Sequence, residues 1–297
     1  MSNKPRKMTL EKMHKLTGGA FLAPATFLIA VFSFWPMIKA LVLSFQTGKG
    51  RNMQMAGFTN YIRMFQDDVF IQSIKNTFFY FILQVPIMLV VAMVLACILN
   101  KKDLRFKGFF RTMIFLPFTT SLVAYSIIFR SLFANDGLVN YVLVNLGILD
   151  KPYNFLTQPF AAKIVIILAL LWRWTGYNMV FFLSGLQNIE YSVYEAAKID
   201  GASAIQTFFK ITVPLLKPTI LLTAIMSTNG TLQLFDESIN LTDGGPANAS
   251  ISMSHYIYNL CFKYVPNFGY AAAMSFFILL LVAVLAFIQM RVGDKRD

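Results

Sequence analysis

Six apolar runs dominate this chain, most of them at or above the roughly 18–20 residues that a helix needs to cross a bilayer. They are Gly18–Phe45, Asn76–Leu99, Phe109–Phe133, Phe160–Leu186, Pro218–Phe235 and Phe268–Met290. Only 13% of the residues are charged, about half the share usual in soluble domains. The sequence therefore predicts an all-α integral membrane protein with six spans. The fifth run is the most polar: it holds Asn229, Gly230, Thr231 and Gln233, and it runs into Asp236 and Glu237. Such a midsection is costly in lipid unless it faces a cavity or other helices.

The net charge of +12 would suggest nucleic acid in a soluble protein. Here it reads as the excess of Lys and Arg in cytoplasmic loops, so no nucleic-acid partner is expected. Sixteen basic residues fall at the N-terminus, after spans 2 and 4, and at the C-terminus; six fall in the loops between. Both termini are thus expected in the cytoplasm. The first run is longer than the ~7–15 residues of a signal-peptide core, so it reads as a retained anchor. Cys97 and Cys261 fall near opposite membrane faces, which argues against a disulfide. His14 and His255 lie far apart, and no metal site is expected. There is no G-x-x-x-x-G-K-[ST] loop for nucleotide phosphates and no recognisable catalytic set, so the chain reads as a non-enzyme without a cofactor of its own.

Between spans 4 and 5 lies a polar insert. Ser192 is a plausible N-cap with Glu195 three residues on, as in a capping box, and Gly201 fits a helix stop, because glycine takes positive φ without steric cost. A helix of two to three turns is marginal alone and needs a surface to dock on. Ala196, Ala197 and Ala202 allow close approach, and Glu195 offers a carboxylate to a cationic groove. A helix lying on lipid headgroups is the alternative; Glu195 and Asp200 argue against it on an acidic lipid surface.

Glu195-Ala196-Ala197, Gly201, Ile211 and Pro214 resemble the EAA signature of permease subunits of bacterial binding-protein-dependent ABC importers. Tyr194 through Ala202, Leu241 through Pro246, Phe268 through Ser275 and Trp172 through Gln187 resemble the maltose-type, carbohydrate-uptake branch. The resemblance implies the type I ABC importer permease fold: a cytoplasmic N-terminus (1–17), a transmembrane permease domain (18–291) containing the coupling segment 189–214, and a cytoplasmic C-terminus (292–297). It implies a multi-pass protein of the bacterial inner membrane. The expected partners are a second and different permease subunit, two ABC ATPase subunits that bind the ATP, and an extracytoplasmic solute-binding protein. Glu195, Ala196, Ala197, Asp200 and Gly201 would couple to the ATPase. The substrate would be a di- or oligosaccharide, with glycerol-phosphate as a further class of the same branch.

A sugar site needs hydrogen-bonding groups and aromatic surfaces near the membrane midplane. Ser227, Thr231 and Phe235 are spaced by four and are expected to share one helical face, with Asn229, Gln233 and Asp236 adjacent. Span 4 adds Tyr177 and Asn178, and span 3 adds Tyr125. Small hydroxyl residues also serve helix–helix packing. Arg173 needs a partner or a route to water. The rival function is a self-sufficient secondary transporter or channel; the lack of an internal repeat and the few intramembrane carboxylates disfavour it.

Overall fold

The computed structural model describes residues 9–49, 52–101 and 103–293. Lys4, Arg6, Lys7, Arg51, Lys102, Lys295 and Arg296, on which part of the charge bias rests, lie outside the described residues.

The first span runs unbroken from Leu10 to Ser44 as α1 (Leu10–Ile29), a π-helical turn (Ala30–Phe34) and α2 (Trp35–Ser44). It begins eight residues before the apolar run. The loop that follows carries structure of its own: β1 (Gln46–Lys49) pairs antiparallel with β2 (Asn52–Met55), and α3 (Thr59–Met64) comes next. The second span is α4 (Asp68–Asn100). Asp67 caps it, accepting from the Val69 and Phe70 amides at 3.0 and 3.2 Å, which satisfies two orphan donors of the first turn. Its second carboxylate oxygen accepts from the Tyr256 and Tyr270 hydroxyls, each at 2.7 Å. Burial pushes the Asp67 pKa up, but these four donors outweigh burial and hold it below its ordinary value.

The third apolar run is not one straight helix, and this corrects the sequence reading. α5 (Lys107–Thr119) and α6 (Leu122–Leu132) meet at 98°. Pro117 supplies no amide to the helical ladder, and three residues later Thr120 turns extended, at φ −71° and ψ 149°. Thr119 and Thr120 hydroxyls donate back to the Leu116 and Pro117 carbonyls at 2.8 and 2.6 Å. Pro86, by contrast, sits inside the continuous α4.

After α7 (Leu138–Asn145), the fourth span is α8 (Pro159–Gln187), with Pro159 in its first turn. The insert forms α9 (Tyr191–Ile199), α10 (Ala204–Thr207), a π turn (Phe208–Thr212) and α11 (Val213–Leu215). α10–α11 bend by 71° into α12 (Lys217–Leu232), the fifth span. Then come α13 (Asp236–Thr242), α14 (Met253–Tyr258) with a further π turn, and α15 (Phe268–Gly293). Among the described residues four helical stretches are long and apolar enough to cross a membrane, and the number is six if each bent pair is one span.

α4 and α8 form the centre. One core cluster sets Ala92, Met93 and Ala96 against Met179, Phe182 and Leu216. A second joins Tyr80, Tyr125, Ile166, Leu170 and Leu241. A third joins Phe70, Met253, Tyr270 and Met274. The outer faces expose Val90 and Val94 of α4 and Leu280 and Phe287 of α15, as a fold solvated by hydrocarbon requires. Cys97 and Cys261 are both free thiols.

Two predictions follow from this packing. α5 lies so close on α8 that a Cβ at Gly176 would stand 1.9 Å from the Ile114 carbonyl oxygen. Gly176→Ala is expected to cost about 1–3 kcal/mol through overpacking, seen as a lower melting temperature in detergent. His255, between spans 5 and 6, is fully buried with Nδ1 2.9 Å from the Ser238 hydroxyl and Nε2 3.6 Å from the Asp243 carboxylate. Burial pulls its pKa from 6.5 down to about 4, against the pull of Asp243 and with that of Lys263. The unfolded chain therefore binds this proton more readily. Stability from this site is full above pH 6.5 and is lost as pH falls towards 4. A pH series of melting curves for the protein and for His255→Gln should diverge in that window, with the variant flatter.

Candidate functional site

Two places gather the residues singled out in the sequence. The first is the insert after span 4. α9 is capped by the extended backbone of Glu190, not by Ser192. Ser192 already lies in the first turn, and its hydroxyl donates to the Glu190 carboxylate at 3.3 Å. The capping box forms one helix later: Ser203 accepts from the Gln206 amide, and the Gln206 side chain accepts from the Ser203 amide at 2.8 Å. The stop at Gly201 is as the sequence indicated. Gly201 takes φ +76°, its amide donates to the Lys198 carbonyl, and the Ala202 amide donates to Ala197 at 2.9 Å. This pair of bonds is a Schellman termination.

Glu195, Ala196, Lys198 and Asp200 are exposed. Ala197 is buried against its own chain, so its small size serves internal packing and not the open face. Ile199, Ile205 and Phe209 are 85%, 71% and 65% exposed, an apolar rim around the charged face. The insert packs on the loop after α4: Asn100, Lys101 and Leu104 share a cleft of about 690 Å³ with Tyr191, Tyr194 and Thr212. Two segments rich in basic residues thus lie at one end of the bundle.

The second place is a cavity of about 360 Å³ between α4, α8, α12 and the start of α13. Ser227, Asn229, Thr231, Gln233, Phe235, Tyr177 and Asn178 all line it. The expected shared face of Ser227, Thr231 and Phe235 does not exist, because α12 ends at Leu232. Phe235, at φ −134°, precedes α13, and Asp236 opens that next helix. Phe235 and Asp236 reach the cavity because the chain turns there.

Thr231 donates to the Gln84 side-chain oxygen at 2.8 Å, and both are nearly fully buried. Ser227 lies 3.4 Å from the Asn178 amide oxygen, and Asn229 and Gln233 bond to each other. Gln84, Met88, Trp174 and Glu237 also line the cavity. Sequence reasoning did not place Gln84 or Glu237 there, although a glutamine inside an apolar run was the available signal.

Tyr125 stands one layer behind the wall, fully buried, and its hydroxyl donates to the Glu237 carboxylate. Arg173 does not snorkel. It is 7% exposed, donates to the Thr120 carbonyl at 2.7 Å, and lies 4.9 Å from the Tyr125 ring centre. The Trp172 ring stacks on that of Tyr125, centres 6.2 Å apart and planes at 24°.

Residues 69–296 match the family described as the binding-protein-dependent transport system inner membrane component. The chain is 51% identical over 292 residues to the lactose transport system permease protein LacF of Rhizobium radiobacter, covering 98% of each. It is 31% identical over 278 residues to the arabinooligosaccharides transport system permease protein AraP of Bacillus subtilis, covering 93% of this chain and 88% of the relative. A chain of a bacterial alginate ABC transporter, solved in complex with an alginate pentasaccharide-bound periplasmic protein, shares the fold at a TM-score of 0.84 and 25% identity, with 98% of each chain covered.

The Tyr125–Glu237 contact is testable by deletion of one hydroxyl. Tyr125→Phe leaves a buried carboxyl without its donor, at an expected cost of about 1–3 kcal/mol. Thermal unfolding of the detergent-solubilised protein should show it.

Proposed function

This chain belongs to the family of inner-membrane components of binding-protein-dependent transport systems, and from that premise we propose how its parts divide the work of carbohydrate import. It is a permease subunit of a carbohydrate ABC importer. The cavity beside α12 is the carbohydrate passage, and the insert after span 4 is the coupling element. The observation that carries this reading is the cavity wall. It combines aromatic faces (Trp174, Tyr177, Phe235) with side-chain amides (Gln84, Asn178, Asn229, Gln233) and hydroxyls (Ser227, Thr231) in one cavity. Sugar rings present apolar faces and a hydroxyl rim, and such a wall matches both. The solute class is a disaccharide or short oligosaccharide.

The chain does no chemistry itself. α9 inserts its exposed face, Glu195, Ala196 and Asp200, into a groove on a cytoplasmic ATPase subunit, with Gly201 fixing where the helix ends. The hydrophobic rim of Ile199, Ile205 and Phe209 supplies apolar area for that contact. A second, different permease subunit completes the passage, an extracytoplasmic solute-binding protein delivers the sugar, and both termini lie in the cytoplasm. ATP binding moves the ATPase subunits, and the short insert transmits that movement to α8 and α12 as rigid-body rotation. The passage then opens to one side and the other in turn.

Glu195→Lys reverses the charge on the docking face without touching the spans. Uptake of labelled sugar should fall to background while membrane insertion, read by immunoblot of membrane fractions, stays intact. Uptake retained in this variant would rule out the coupling role.

A further inference from the structure

We propose that Asp236 makes this passage selective for neutral carbohydrates over anionic ones. The inference rests on the reading of the cavity as a carbohydrate passage.

Among the described residues the cavity wall carries two carboxylates, Asp236 and Glu237, and neither lysine nor arginine lines it. The two carboxylates differ in their engagement. Glu237 is 4% exposed and committed to the Tyr125 hydroxyl, so it belongs to the wall's own hydrogen bonding. Asp236 is half-buried at the cavity surface, and none of the ion pairs among the described residues involves it. The buried cation Arg173 is absent from the lining: its guanidinium donates to the Thr120 carbonyl at 2.7 Å and lies 4.9 Å from the Tyr125 ring centre.

A carboxylate so placed acts in two directions. It has about four lone-pair sites and accepts from paired hydroxyls of a neutral sugar, with Asn229 and Gln233 beside it to donate and accept in turn. Against a uronate or a sugar phosphate it works by repulsion. The incoming anion leaves water for a low-dielectric space, meets a like charge, and finds no lining cation to offset either loss. Discrimination by an unfavourable contact with the wrong ligand needs only this one residue.

The test uses the complete purified transporter in detergent, with its partner permease and ATPases. Binding of radiolabelled lactose is measured by equilibrium dialysis, with unlabelled lactose and lactose 6-phosphate as competitors. In the unmodified protein, lactose 6-phosphate should compete at least about tenfold more weakly than lactose. Asp236→Asn should reduce the gap to about threefold or less, whereas Asp236→Glu should preserve it. A gap unchanged in Asp236→Asn, or no gap in the unmodified protein, overturns the proposal. If Asp236→Asn no longer holds lactose, Asp236→Ser is measured in the same way, and a gap unchanged there overturns the proposal. Failure of the unmodified protein to hold lactose or any other disaccharide overturns the carbohydrate reading itself, a result distinct from equal competition by the two probes.

Discussion

A helix that stops inside a membrane leaves carbonyls without amide partners, and water is not there to take their place. The third span stops in this way at Thr120, and Arg173 answers it with a guanidinium N–H at 2.7 Å. The reach depends on Gly176, less than one turn further along α8, whose missing side chain lets the α5 backbone lie directly on α8. The buried cation in turn needs cover, which the Tyr125 ring supplies. The Tyr125 hydroxyl then fixes Glu237 in the first turn of α13, and α13 closes one wall of the cavity. Break, cation, ring, carboxylate and wall form one connected group, and removing any member exposes the next.

Much of the fold was legible because apolar length is a direct physical requirement for crossing lipid. The runs marked the four long spans and the two bent pairs, and the spacing around Gly201 marked the end of α9. Direction was less legible. Hydropathy is the same on either side of Thr120, so a 98° turn leaves no trace in it beyond Pro117. The face drawn through Ser227, Thr231 and Phe235 assumed that α12 continues, but the chain leaves helical geometry after Leu232. The cap assigned to Ser192 failed for a related reason: a cap needs extended backbone, and the extended residue is Glu190 at ψ 133°. Gln84 was missed because its partner, Thr231, is 147 positions away, and a single sequence does not display such pairings.

The cavity and the insert share two rods. α8 and α12 each contribute to the cavity wall and each joins the insert at one end, where Leu216 packs in one core cluster with Met179 and Phe182. Close-packed interiors shift between discrete arrangements and do not deform smoothly. A displacement at one end of such a rod therefore arrives at the other as a displacement of similar size, and the polar residues of α12 ride on it.

The first twenty helical residues stand apart from this economy of contacts. No residue of α1 is buried against the described chain, and only past the π turn does α2 settle beside α15. The helical stretch that α1 opens, Leu10–Ser44, has 35 residues and so measures about 52 Å, longer than the roughly 30 Å hydrocarbon layer. Since α1 buries none of its residues against the described chain, its position is left to lipid and to any neighbouring subunit that meets its faces. In mechanical terms α1 is a mast stepped at Trp35 and stayed by its surroundings.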